Sequence, residues 1–173
     1  MPMPRTDLTP ERLRATLMHM KSSSSVGADS WTVKELRKLP NCILERLCAL
    51  LHLIEATGRW PPSLAVGMIS PVPKEDGGLR PQDLRPITVM SVVYRAWAAT
   101  RMQEFTEWQE TWLSHNVASY RPAMGCHDLW WTQALEIEHA HVTGQERCGA
   151  SFDFSKAFYS LPTDIIFAIA RRM

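Results

Sequence analysis

The chain is 173 residues long, 45% hydrophobic and 21% charged, which excludes a disordered polyelectrolyte and allows one domain with a real core or part of a larger one. Its net charge of +1 gives no whole-molecule mandate for binding a polyanion. No apolar run nears the ~20 residues that cross a bilayer.

Charge is unevenly spread. Residues 1–60 hold nine Lys or Arg against six Asp or Glu, while from Gln103 to His141 only Arg121 offsets six acids. A basic front and an acidic middle either orient a polyanion or are simply solvated helix faces. Seven tryptophans are many for this length and point to large buried contacts or to surfaces meant to be covered. Cys42, Cys48, Cys126 and Cys148 lack Cys-x-x-Cys spacing, and no signal peptide precedes them. Free thiols in an intracellular compartment, nucleus or cytoplasm, are expected.

The Met-Pro-Met-Pro start has neither a basic nor an apolar region, and residues 1–8 read as a disordered start. Thr9-Pro10-Glu11 then opens a helix: a hydroxyl cap, a first-turn proline, an acid at the positive end of the dipole. Leu13, Leu17 and Met20 recur at helical spacing until Ser22–Ser25. Thr32 and Glu35 have capping-box spacing for a short helix closed by Pro40. Ile43, Leu44, Leu47, Leu50, Leu51 and Ile54 form an amphipathic stripe ending at Gly58, a C-terminal cap.

Trp60-Pro61-Pro62 interrupts, and Leu64–Val72 reads as extended, with a turn at Lys74-Glu75-Asp76-Gly77-Gly78. Val92–Leu113 is predicted helical, with Trp97, Trp108 and Trp112 on one stripe. That stripe either packs in the core or stacks bases. Leu129–His141 is predicted as another helix, Cys148–Phe154 as a strand, and Thr163-Asp164 as the cap of a last helix, Ile165–Arg172. The order of helices, strand, helices, strand and helix makes the fold class α+β or α/β.

Asp153 sits between Phe152 and Phe154, where a strand would lead into a helix. A carboxylate at a sheet rim suits Mg²⁺, which takes oxygen ligands from one or two carboxylates and substrate phosphates. Read alone, the same aspartate is a turn or cap residue. Lys74 ends the first strand, and Arg85 follows after the glycine turn in Asp83-Leu84-Arg85-Pro86-Ile87-Thr88. A hairpin return brings both cations to one surface, where a point charge and a planar fork grip a triphosphate. Either alone is a surface charge. Cys126, His127, His139, His141 and Cys148 are zinc-ligand types, but their spacing matches no ribbon or finger.

In order along the chain, four segments resemble the reverse transcriptase domain of non-LTR retrotransposons. They are Lys21-Ser22-Ser23-Ser24-Ser25-Val26-Gly27-Ala28-Asp29, Val72-Pro73-Lys74, the run from Asp83 through Arg95, and Phe152-Asp153-Phe154-Ser155-Lys156-Ala157-Phe158. The resemblance spans residues 9 to 173. It implies the fingers and the start of the palm of a right-hand polymerase fold, incomplete: residues 9–148 fingers-like, residues 149–173 the first palm strand and helix. It further implies that Asp153, with the Phe154 carbonyl, binds catalytic Mg²⁺. Lys74 and Arg85 would bind the deoxynucleoside triphosphate, and Phe158 would stack beneath its sugar or simply pack in the core. Implied partners are an RNA template, a DNA primer and the missing palm and thumb, with no membrane.

Departures from the family pattern are Tyr159 at a position often held by a second aspartate, and Arg121-Pro122-Ala123-Met124-Gly125 as a weak match to the segment before the palm. The paired-aspartate motif is absent, so this stretch alone is expected not to polymerise. The reading from a different class is a non-catalytic nucleic-acid-binding relic or a structural remnant of that domain.

Overall fold

The computed structural model describes residues 3–74, 80–154 and 161–172. The chain divides into two compact units, residues 5–105 in one and residues 106–173 with 1–4 in the other. The division between the units falls inside a helix.

The first unit opens with α1 (Pro10–His19), where the Thr9 hydroxyl accepts the Arg12 N–H at 3.4 Å. Its inner face buries Leu13, Thr16 and Leu17. Within the start read as disordered, Thr6 and Leu8 are held in place. Leu8 is 2% exposed and its N–H donates to His52 Nε2 at 3.1 Å, while Thr6 donates its N–H and hydroxyl to Glu104. An apolar side chain next to polar anchors straps this segment down.

In α2 (Val33–Arg37) the capping box forms as expected: Thr32 Oγ1 accepts the Glu35 N–H at 3.2 Å and Glu35 accepts the Thr32 N–H at 2.9 Å. The long helix α3 (Asn41–Thr57) turns Leu44, Cys48, Leu51 and Ile54 inward. Ile43, expected on that stripe, is 42% exposed because the i, i+4, i+7 row from Leu44 through Cys48 takes the core. Gly58 ends α3 at φ +68°, a conformation a Cβ disfavours.

The stretch expected to be extended from Leu64 starts differently: α4 (Pro62–Ala65) forms first, its two leading prolines suiting a first helical turn, and β1 is Met68–Pro73. After a 3₁₀ turn at Pro81–Asp83, β2 (Leu84–Val89) returns antiparallel to β1. Then α5 (Val92–Glu110) buries Val92, Val93 and Ala96 against α1 and α3 residues in one apolar cluster. Thr100 donates its hydroxyl to the Ala96 carbonyl at 2.9 Å, leaving Thr16 to donate to Thr100 across 2.9 Å.

The second unit holds α6 (Cys126–Thr143) and α7 (Thr163–Ala170). The start of α6 precedes the expected Leu129 because Asp128 accepts the Gly125 N–H at 2.6 Å and supports an earlier turn. In α7, Thr163 lies inside the helix, not at its cap: the Pro162 carbonyl accepts the Ile165 and Ile166 N–H groups at 3.1 and 3.2 Å.

Helix and strand are mixed, as expected. The predicted strand at Cys148–Phe154 is not one, however. Among the described residues the sheet is β1 with β2, and residues 145–154 carry no regular structure. A strand needs a neighbour for its N–H and C=O groups, and none of the described residues supplies it.

Candidate functional site

The ribbon of β1 and β2 is built around three prolines. Pro71 faces Pro86, and Pro73 faces Leu84. Having no N–H, these prolines fit only the rungs whose N–H positions point away from the partner strand. The alternating rungs then carry the hydrogen bonds, and the Lys74 N–H does donate to the Asp83 carbonyl at 2.8 Å. Outward prolines on both strands also deny these edges to another chain.

This register decides the placement of the expected triphosphate ligands. Arg85 stands opposite Val72, and Lys74 lies two residues beyond Val72. Side chains alternate across a strand, so Lys74 and Arg85 share one face as diagonal neighbours about 7–8 Å apart. Both are exposed, at the end of the ribbon away from α5. The two cations converge as the hairpin reading required.

Asp153 belongs to the second unit and is exposed, with Phe152 at 83% and Phe154 at 78% exposure. Among the described residues no group of three or more His, Cys, Asp or Glu gathers as a metal site. A lone exposed carboxylate does not by itself fit Mg²⁺, and the zinc-ligand types at Cys126, His127, His139, His141 and Cys148 do not converge either. Phe158 lies outside the described residues.

Much of the basic front is used internally. Arg37 donates to the Leu17, Met18 and Met20 carbonyls and to Ser22, closing the end of α1. Arg14 donates to the Arg37 and Leu39 carbonyls, closing α2, and to Asn41. Arg12 and Arg101 both bind Glu104 at 2.8 Å, and Arg101 also binds Glu55 at 2.7 Å. Burial opposes ionisation of Glu104, but hydrogen bonds from Thr6, Arg12 and Arg101 outweigh it and lower its pKa to about 2.

Arg121, from the loosely matching segment before the expected palm, is likewise engaged, with Glu110 at 2.9 Å and the Ser114 carbonyl. The tryptophan stripe divides: Trp97 meets Trp60 edge-on at 5.1 Å, Trp108 is buried, and Trp112 is half exposed. Packing thus claims Trp97 and Trp108. Sequence reasoning missed the clasp from Asp29 to Ser91, whose hydroxyl donates to the carboxylate at 2.6 Å. No local spacing announces a partner so far along the chain.

No helix among the described residues is long and apolar enough to cross a membrane. No protein-family model matches the chain. It is 34% identical over 157 residues to a retrovirus-related Pol polyprotein from a type-2 retrotransposable element of Drosophila melanogaster. The aligned region covers 89% of this chain and 14% of that protein. The chain is a non-LTR retrotransposon-related protein.

Proposed function

We propose that the chain is the fingers and the start of the palm of a reverse transcriptase, and that the β1–β2 ribbon binds the incoming deoxynucleoside triphosphate. The observation that carries this reading is the register that sets Lys74 and Arg85 on one exposed face. A flexible ammonium and a planar fork at that separation complement a triphosphate, whose charge is spread over several oxygens. The retrotransposon Pol relative supports this reading, in which the grip would serve DNA synthesis on an RNA template from a DNA primer.

In this reading Asp153 and the Phe154 carbonyl would supply oxygen ligands to Mg²⁺, and its remaining ligands would have to come from other palm residues. Phe158 would be the residue stacking beneath the sugar.

The test is binding of a fluorescent deoxynucleoside triphosphate to the 173-residue chain. Arg85→Ala should weaken binding by roughly ten- to a hundred-fold, the size of a lost charge-assisted contact. Arg85→Lys should recover only part, since a point charge replaces a fork. Affinity should fall as salt rises. Unchanged binding by Arg85→Ala together with Lys74→Ala would remove the ribbon from the site.

A further inference from the structure

Every residue of β1 is exposed and β2 is exposed or half-buried, so packing along its length does not aim the ribbon. Its direction is set at its base, where Met90 and Ser91 alone join β2 to α5. Ser91 is 1% exposed. Its Oγ accepts the Val93 N–H at 3.1 Å and donates to Asp29 Oδ2 at 2.6 Å. One hydroxyl thus ties the first turn of α5 to the loop before α2.

Two further contacts hold that loop in place. A Cβ on Gly27 would lie 2.6 Å from Ser91 Cα and N and 2.9 Å from the Met90 carbonyl carbon, so loop backbone presses directly on the junction. Arg95, one turn into α5, donates to the Ser25 carbonyl. Asp29 Oδ1 meanwhile is buried with no hydrogen-bond partner among the described residues. The hydrogen bond from Ser91 is thus the contact through which this carboxylate acts on the junction.

We propose that Asp29 is a positioning residue: through Ser91 it fixes the angle between the ribbon and α5, and with it the aim of Lys74 and Arg85. The consequence for nucleotide binding rests on the function proposed above. Arg85 lies about 13 Å along β2 from Val89, so a tilt of about 10° at the base moves it by about 2 Å.

The experiment measures the distance between spin labels at exposed Ile87 and Gln103 by pulsed electron resonance, with the exposed Cys42, Cys126 and Cys148 replaced by serine. Ile87 lies about 7 Å from Val89, so Asp29→Ala should shift or broaden that distance by about 1 Å. Asp29→Asn, which keeps an acceptor for Ser91, should stay near the parent. Ser91→Ala, which deletes a single oxygen, should reproduce the Asp29→Ala result and carries the test if the latter does not fold.

Lowered thermal stability with an unchanged distance would make Asp29 a mere helix-cap support and overturn the proposal. The same variants are then assayed with fluorescent nucleotide, where a misplacement of this size should weaken binding roughly ten-fold or more. If the distance moves while both Asp29→Ala and Arg85→Ala bind normally, the nucleotide reading fails and the positioning role stands. If Arg85→Ala weakens binding but a displaced ribbon in Asp29→Ala does not, the link from Asp29 to binding is overturned.

Discussion

Glu104 accepts hydrogen bonds from the strap at Thr6, from Arg12 on α1 and from Arg101 on its own helix. Its pKa, held near 2 against an ordinary 4.5, makes the group a source of acid-sensitive stability. The folded chain binds fewer protons there than the unfolded chain between these values, so stability falls as pH falls through that window. The contribution is fully present above about pH 4.5 and is lost towards pH 2. Its size is on the order of 3 kcal/mol. Glu104→Gln should therefore lower the melting temperature at pH 6, and the gap to the parent should close near pH 2. Thermal scans across that range check it; a gap independent of pH would mean the carboxylate charge contributes nothing.

Helix ends, more than helix faces, depend on distant cations here. Arg37 reaches back from α2 to the carbonyls that α1 leaves unpaired, and Arg14 does the reverse for α2. Such carbonyls need partners once they are removed from water. Arg37→Ala should cost about 1–3 kcal/mol by denaturant titration, the range for losing hydrogen bonds to a charged group. Arg37→Lys should restore little, because an ammonium cannot reach several carbonyls in one plane. Full rescue by lysine would reduce the contact to simple charge. The capping box at Thr32 and the glycine end of α3 were legible because both lie within a few residues of the helix they serve. The two arginine clasps were not, since their partners are set by how the helices cross.

Across the whole molecule, apolar surface concentrates in residues 106–172. Trp130 is 61% exposed, Trp131 59%, Phe152 83%, Phe154 78% and Phe167 62%. Large apolar side chains exposed in this number form faces suited to association. Left uncovered, they should drive association. Sedimentation at micromolar concentration should show dimers or larger species, and a dye specific for apolar patches should brighten on binding. A single monomeric boundary with no dye response would show these side chains to be tolerated by solvent.

Local chemistry determined α1, α2 and the reach of α3, because caps, apolar spacing and turn residues act over a few positions. A hairpin return was legible too, but the register that sets Lys74 and Arg85 on one face came only with the structure, since a one-residue slip would send them to opposite faces. Beyond that reach, the sequence could not say that residues 145–154 would lack a strand partner, which depends on what lies beside them. Nor could it say that Thr6–Leu8 would be strapped down, or that Arg12, Arg14 and Arg37 would be consumed by internal acceptors. The charge tally counts cations but not the carbonyls and carboxylates that meet them. Only the tertiary structure pressed Gly27 against Ser91 and spent the Asp29 carboxylate on that junction, because that contact joins segments about sixty residues apart whose approach the core alone decides.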